Sequence, residues 1–284
     1  MPSSIRGTTL TLALFGKDLS YSQSPALHNT WISEASLDWI YVPLSFSSSA
    51  HFRNALLALS KSPHFLGGNI TNPFKATLLD DSGFTADARS LAVGACNTVY
   101  RLGPTWYLTN TDIDGIFETL DHWPQLSSHA NPELVVLGAG GAASAVVWSL
   151  RQRWPKAPIM VVCRSALRAS TYLQSQAAGV TFIEDTAQQR ASIPQGNTRT
   201  HRLVVNCLPL GNFGESNPVA ERIIREYLVA SPREAYYFDL TYGDGQAVHH
   251  ARTAGILCQD GRLMLETQAR ASFAIWRDSL AHGQ

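Results

Sequence analysis

Lys75 closes the segment Gly68-Asn69-Ile70-Thr71-Asn72-Pro73-Phe74-Lys75, in which amide, hydroxyl and ammonium groups stand among apolar residues. Two further segments share that mixture: Tyr21-Ser22-Gln23-Ser24-Pro25-Ala26-Leu27-His28-Asn29 and Asn110-Thr111-Asp112-Ile113-Asp114-Gly115. Taken singly, each also has a plain structural reading. Ser22 and Ser24 suit a helix cap, Asp112 with Asp114 and Gly115 suits a turn, and Lys75 suits a solvated surface. A calcium loop is excluded for the third segment, because the further acidic ligands and the distal glutamate are missing. The chemistry that would unite them is proton transfer. A free lysine, with a pKa of about 10.4, accepts protons poorly near neutrality; burial lowers such a value and a neighbouring carboxylate opposes the shift.

A different chemistry is written in Leu134-Val135-Val136-Leu137 followed by Gly138-Ala139-Gly140-Gly141-Ala142-Ala143. This is G-x-G-x-x-A between an expected strand and an expected helix, the context a dinucleotide fingerprint requires. Gly138 allows a tight turn, Gly140 lets backbone approach a pyrophosphate, and Ala143 keeps helix and strand close. A ligand-free strand-to-helix turn is the alternative, and the surrounding strand–helix units favour the dinucleotide. The next expected strand leaves through Cys163-Arg164-Ser165-Ala166-Leu167-Arg168, with two guanidiniums and no carboxylate. A carboxylate there would take the ribose 2′-hydroxyl of NAD, whereas arginine pairs bidentately with phosphate. NADP is therefore favoured over NAD, with two solvated arginines as the bland alternative.

These groups need a scaffold to bring them together. In the first half, strands are expected at Thr9 to Phe15, Trp39 to Phe46 and Phe65 to Thr71, with Pro43 marking an edge or bulge. Helices are expected at Pro25 to Ala35, opened by Ser24, at His51 to Leu59 and at Thr85 to Leu91; Thr98 to Leu102 and Trp106 to Thr109 read as a hairpin. Between Leu120 and Asn131 the apolar period lapses, which places a domain junction nearby. Beyond it, strands at Glu133 to Leu137, Ile159 to Cys163, Leu203 to Cys207 and Ala235 to Leu240 alternate with helices at Ala142 to Arg153, Ala166 to Ala178 and Val219 to Ala230. That rhythm implies a parallel sheet covered on both faces. Met264 to Leu280 reads as one amphipathic helix.

Composition narrows the partners. The 284 residues carry 22 basic and 22 acidic side chains, so no net field draws in nucleic acid or an acidic membrane. Cys96, Cys163, Cys207 and Cys258 are too widely spaced for a zinc ribbon, and too few in so long a chain for a disulfide framework. No apolar run reaches the roughly 20 residues of a membrane span, and Leu10 to Phe15 is short for a signal-peptide core. The expectation is a soluble protein of a reducing compartment, the cytoplasm. Of the 22 basic residues only four are lysines, so Lys75 stands out as a cation that can lose its proton where arginine cannot.

In order along the chain, the motifs resemble those of the shikimate/quinate dehydrogenase family. They are S-x-S-P-x-x-H-N at Ser22 to Asn29, N-x-T-x-P-x-K at Asn69 to Lys75, G-A-x-N-T at Gly94 to Thr98 and N-T-D-x-x-G at Asn110 to Gly115. G-A-G-G-A at Gly138 to Ala142, N-x-x-P-L-G at Asn206 to Gly211, Asp239-Leu240-Thr241-Tyr242 and Gly261-x-x-Met264-Leu265-x-x-Gln268-Ala269 follow. The resemblance implies an α/β fold in two parts: an open α/β substrate domain over 1–113 and 260–284, and a doubly wound Rossmann domain over 114–259, with the C-terminal helix returning to the first. It implies an NADP-linked oxidoreductase of aromatic amino acid biosynthesis that reversibly reduces 3-dehydroshikimate to shikimate.

By motif position, Lys75 and Asp112 would be catalytic. Ser22 and Ser24 would hold the substrate carboxylate with Tyr242 nearby, and Thr71, Asn97 and Gln268 would complete the substrate contacts. Gly138, Ala139, Gly140, Gly141, Ala142, Cys163, Arg164, Ser165, Arg168, Leu240 and Gly261 would contact the cofactor, and no metal is called for. The chain departs from the family pattern at Cys163, at Cys207 and Leu208, at Ala247-Val248-His249-His250 and at Arg262. Alternatives are a quinate or aminoshikimate dehydrogenase using NAD or NADP, and a non-catalytic sensor of a dinucleotide or cyclic acid. The serine pair leans towards shikimate. A monomer or homodimer is expected.

Overall fold

The computed structural model describes residues 5–173, 176–186, 188, 200–209, 216–229, 234–243 and 245–281. Two compact units emerge, residues 1–112 with 265–284 and residues 113–264.

The first unit is a mixed six-stranded sheet with helices on both faces. Its elements are β1 (Leu10–Gly16), α1 (Ser24–Glu34), β2 (Trp39–Ser45), α2 (Ser49–Leu59), β3 (Phe65–Ile70), β4 (Thr85–Ala86), α3 (Ala88–Val93), β5 (Thr98–Leu102) and β6 (Thr105–Thr109). The strand order is β2-β1-β3-β5-β6-β4, so the strand carrying Pro43 lies at an edge, where its missing N–H is tolerated. β1 runs parallel to β2 and β3, whereas β5 runs antiparallel to β3 and β6. Successive side chains of β1 point to opposite faces, and both faces are buried. Ala13 and Phe15 join Phe52, Leu56 and Phe74, while Leu12 and Leu14 join Ile32, Tyr41 and Trp276.

This topology gathers the polar segments at one end of the sheet. The chain leaves the C-terminal ends of the parallel strands β1 and β3 there, enters β5 there, and leaves β6 there. Asn69 pairs with Thr98, and Thr98 with Thr109. Asn97 and residues 110–112 thus meet the loop that follows β3, although they are far apart in sequence.

The second unit begins after residue 112, within α4 (Asp112–Asp121), and continues with α5 (Pro124–Ser127), β7 (Glu133–Leu137), α6 (Gly141–Arg153), β8 (Ile159–Cys163), α7 (Ala166–Leu173), β9 (Val180–Glu184) and β10 (Arg202–Asn206). α8 (Pro218–Ile223) passes into a π-helical turn, Ile224–Leu228, before β11 (Ala235–Asp239), α9 (Gln246–Thr253) and β12 (Leu257–Gln259). All six strands are parallel, in the order β12-β11-β10-β7-β8-β9. The order reverses beside β7, so the glycine segment after β7 stands at a topological switch point, where doubly wound sheets take ligands. The final helix, α10 (Arg262–Ala281), starts in this unit and ends in the first.

Several expectations need correction. The division between the units falls at 112/113, shortly before the aperiodic stretch, which itself packs in the second unit: Leu120, Trp123 and Leu126 are buried, and Trp123 packs against Tyr236 with ring centroids 5.5 Å apart. Residues 260–264, expected in the first unit, fall in the second, where the Gly261 N–H donates to Thr241 O at 2.8 Å. Ser24 is the first residue of α1 rather than its cap; Gln23 occupies that position in a helical conformation without a side-chain cap. Thr85 and Ala86 form a short strand, and α3 starts later, capped by the Asp87 carboxylate on Ser90 N–H. The helix expected to reach Ala178 ends at Leu173, with residues 174 and 175 outside the described set. β9 was not anticipated.

Candidate functional site

Lys75 lies one short loop beyond β3, and its backbone is pinned before its side chain acts. Its carbonyl accepts from Cys96 N–H at 2.8 Å and faces the Cys96 thiol at 3.3 Å. The neighbouring Phe74 stacks on Phe52 with centroids 5.0 Å apart. The ammonium therefore has one direction available. Lys75 Nζ donates to Asp112 Oδ2 at 2.5 Å, with both side chains buried. Charge-assisted bonds of this kind are short and strong.

Asp112 is itself held. Its Oδ1 accepts from Asn97 Nδ2 at 2.8 Å, and its N–H donates to Asn110 Oδ1 at 3.1 Å. The amide orientation of Asn97 is dictated by Thr111 N–H, which can only donate and does so to Asn97 Oδ1 at 2.8 Å. The Asn97 NH2 group must then face Asp112, with Thr111 Oγ1 at 2.9 Å and Gln268 Oε1 at 3.1 Å as further acceptors. The structure thus brings together Lys75, Asn97, Asp112 and Gln268 from four separate parts of the chain.

Behind them stands a second tier, absent from the expected site residues. Asn69 Nδ2 lies within 3.2 Å of Asn97 O, Thr98 Oγ1 and Ser272 Oγ, and Tyr41 OH donates to Asn69 Oδ1 at 2.9 Å. Asn69 and Thr98 belonged to quoted motifs. Nothing in the sequence tied Tyr41 or Ser272 to Lys75, because their link exists only through folding.

His28 continues this tier without a hydrogen bond. Its ring stacks on Tyr41 at 4.4 Å, beside Trp31 and Trp276, and neither ring nitrogen has a partner among the described residues. Burial pushes its pKa down to about 3. The unfolded chain therefore binds a proton near pH 6.5 that the folded chain refuses. Stability from this group is complete above about pH 6.5 and falls as pH drops towards 3. A His28→Phe variant is expected to lose less stability than the parent between pH 7 and 5 by urea unfolding; parallel losses would contradict this account.

Ser22 and Ser24 occupy the start of α1, beyond the C-terminal end of β1. Ser22 Oγ accepts from Ser24 N–H at 3.3 Å, and no side chain caps the helix. Two hydroxyls at an uncapped helix N-terminus can receive a carboxylate. Thr71 is half-buried in the loop that carries Lys75, its N–H bonded to Phe15 O at 2.8 Å. All these residues lie in the first unit. Tyr242 lies in the second, buried just after β11.

The expected cofactor residues all fall in the second unit. Gly138 has φ +99°, a conformation other residues resist, and its N–H bonds to Val162 O at 2.8 Å. Gly140 caps α6 in an extended conformation, and a Cβ added there would meet nothing within 4 Å. That open space lies over the first turn of α6, formed by Gly141, Ala142 and Ala143, whose backbone N–H groups have no partner in the helix. The segment fits a pyrophosphate. Ala139 lies half-buried between the two glycines.

Arg164 and Arg168 are exposed at the start of α7, and among the described residues neither meets a carboxylate. Ser165 Oγ accepts from Arg168 N–H at 3.4 Å. Cys163 is different. Its thiol is buried towards Ile183 O at 3.8 Å, so its backbone is what it can offer a ligand. A carboxylate is nevertheless close by: Glu184 at the end of β9 pairs with Cys163 and accepts from Ala166 N–H at 3.0 Å. β9 is a partly exposed strand with no apolar run, so Glu184 has no local signal in the sequence.

Asp239 organises the opposite wall. It accepts from Tyr237 OH at 2.6 Å, Thr241 Oγ1 at 2.7 Å, Thr241 N–H at 2.9 Å and Asn206 Nδ2 at 3.0 Å. Burial raises its pKa against the pull of those donors. Leu240 N–H is fixed on Asn206 O at 2.9 Å, and a Cβ at Gly261 would come within 2.3 Å of Leu240 O. Asp239→Ala is expected to destabilise the protein by about 3 kcal/mol, since several buried donors lose their acceptor; urea unfolding with a loss under about 1 kcal/mol would refute it. Cys207 and Leu208 follow β10, and Leu208 Cδ2 would stand 3.2 Å from a Cβ at Gly138. The end of that motif, Leu210 and Gly211, lies outside the described residues.

Known proteins share this arrangement of sequence and fold. Residues 14–99 match the family model of the shikimate dehydrogenase substrate binding domain. The chain is 33% identical over 278 residues to a shikimate dehydrogenase (NADP(+)) from Microcystis aeruginosa, covering 96% of this chain and 93% of that protein. A shikimate dehydrogenase (NADP(+)) from Salinibacter ruber is 31% identical over 283 residues, covering 95% and 93%. Among solved structures, shikimate 5-dehydrogenase from Thermus thermophilus, in complex with NADP(H) and shikimate, superposes with a TM-score of 0.72 at 25% identity, covering 95% and 94%.

Proposed function

Because the chain belongs to the shikimate dehydrogenase family, we propose that it is an NADP-dependent oxidoreductase that reversibly reduces 3-dehydroshikimate to shikimate. The observation that carries this reading is the buried Lys75–Asp112 pair, 2.5 Å apart. Bound NADP supplies or accepts the hydride, a step protein side chains cannot perform. Lys75 Nζ donates a proton to the ketone oxygen during reduction and takes one from the hydroxyl during oxidation. Asp112 aims the ammonium, and Asn97 keeps Asp112 from rotating. Ser22 and Ser24 hold the substrate carboxylate through their hydroxyls, with Tyr242, Thr71 and Gln268 as further substrate contacts.

On the cofactor side, Gly138 to Ala142 receive the pyrophosphate, Arg164 and Arg168 take the 2′-phosphate, and Cys163, Ser165, Leu240 and Gly261 line the remainder by backbone or hydroxyl. The proposal extends to a cytoplasmic enzyme, monomeric or homodimeric. Four free cysteines fit a reducing compartment, and no helix is long and apolar enough to cross a membrane among the described residues.

The test follows reduced nicotinamide by absorbance with shikimate or quinate, each paired with NADP+ or NAD+. Fastest turnover is expected with shikimate and NADP+. Folded protein that forms no reduced cofactor in any pairing would overturn the enzyme reading, and preference for quinate would overturn the substrate. Light scattering of the purified protein reads the oligomeric state; an assembly larger than a dimer would refute that part.

A further inference from the structure

We infer that Ser272, on α10, is a positioning residue for the Lys75–Asp112 pair, acting through Asn97; this rests on the reaction proposed above. Its side chain is fully buried. Its single proton goes to Gln268 O at 3.0 Å, one helical turn back. Ser272 Oγ then accepts from Asn69 Nδ2 at 2.9 Å and can take one further proton from the two hydroxyls beside it, Thr98 Oγ1 at 2.9 Å and Thr111 Oγ1 at 3.0 Å. The same two hydroxyls lie 2.9 and 3.1 Å from Asn97 Oδ1, so the one whose proton is not given to Ser272 donates to that oxygen. Ser272 therefore sets where those hydroxyls sit, they set the Asn97 amide, and Asn97 Nδ2 holds Asp112 Oδ1 at 2.8 Å.

Serine is an odd choice at this place by local criteria. It bonds back to the preceding turn and forms helix less well than alanine. A buried hydroxyl is favoured when its neighbours would otherwise lose their partners. Here those neighbours stand directly behind the reacting pair. Hydrogen bonds behind a reacting pair hold it in its productive geometry.

The role predicts a division between kcat and KM. Ser272→Ala should lower kcat about tenfold, while KM for shikimate stays within about twofold. Thr98→Val, which keeps shape but removes the hydroxyl, should do the same, and Thr98→Ser should restore kcat. Ser279→Ala provides the comparison: among the described residues the hydroxyl of this buried serine of the same helix bonds to Trp276 O alone, at 2.9 Å, away from Asn97, and its loss should leave kcat unchanged. Circular dichroism confirms that each variant is folded. A Ser272→Ala enzyme with kcat within twofold of the parent, or equal losses in the Ser272 and Ser279 variants, would overturn the role. A parent protein that forms no reduced nicotinamide would remove the reaction itself, and the positioning role with it.

Discussion

Lys75→Ala is expected to lower kcat by about 10³-fold, the middle of the range for a positioned general acid–base. The physical reason is the isolation of the pair. Lys75 Nζ reaches Asp112 Oδ2 in a buried setting, and Asn97 occupies the other carboxylate oxygen. Bulk water is a poor substitute there. The same substitution leaves a buried carboxylate without its cation, which costs about 3–5 kcal/mol in folding stability when a partner is removed from such a pair. Loss of activity must therefore be separated from loss of fold. Lys75→Arg does this: it retains the charge beside Asp112 but cannot release a proton near neutrality. Its thermal midpoint should stay nearer the parent while its turnover falls with that of the alanine variant. Near-parental kcat in either folded variant would remove Lys75 from the chemistry.

Arg164→Ala is expected to raise KM for NADP+ about 10-fold to 100-fold, with KM for NAD+ nearly unchanged. A hydrogen bond to a charged partner contributes roughly 1.5–3 kcal/mol, which corresponds to those factors. Arg164 is exposed, so salt should weaken its contribution, and the gap between parent and variant should narrow as ionic strength rises. Glu184 gives the experiment a second edge. It accepts from Ala166 N–H at the same end of the sheet, where a carboxylate would disfavour a phosphate. Equal losses for both dinucleotides would mean that Arg164 does not read the 2′-phosphate.

Much of the second unit was legible because its signals are local. β7, β8 and β10 are runs of largely β-branched and apolar residues buried on both faces, and the glycine segment joins β7 directly to α6. Two strands had no such signal, β9 and β12; they form the two edges of the sheet, with partly exposed Val-Thr-Phe-Ile-Glu and Leu-Cys-Gln patterns. An edge strand buries too little to show as an apolar run. The π-helical turn at Ile224–Leu228 likewise interrupts a helix whose sequence period is unbroken.

In the first unit the individual motifs were readable, and their order along the chain pointed to a family and to Lys75. What local sequence could not determine was their joining. Lys75 and Asp112 are 37 residues apart, and Asn97 is 171 residues from Gln268. They meet because β5 turns back against β3 and β6 against β5, returning the chain repeatedly to one end of the sheet. Tyr41 and Ser272 carried no chemical signature of their own; only packing placed their hydroxyls on Asn69 and Thr98. Residue types and spacing thus determined which groups were available and what chemistry they could perform. Strand pairing and helix packing decided which of them touch, because a hydrogen bond is made by distance and direction in space, and sequence separation constrains neither.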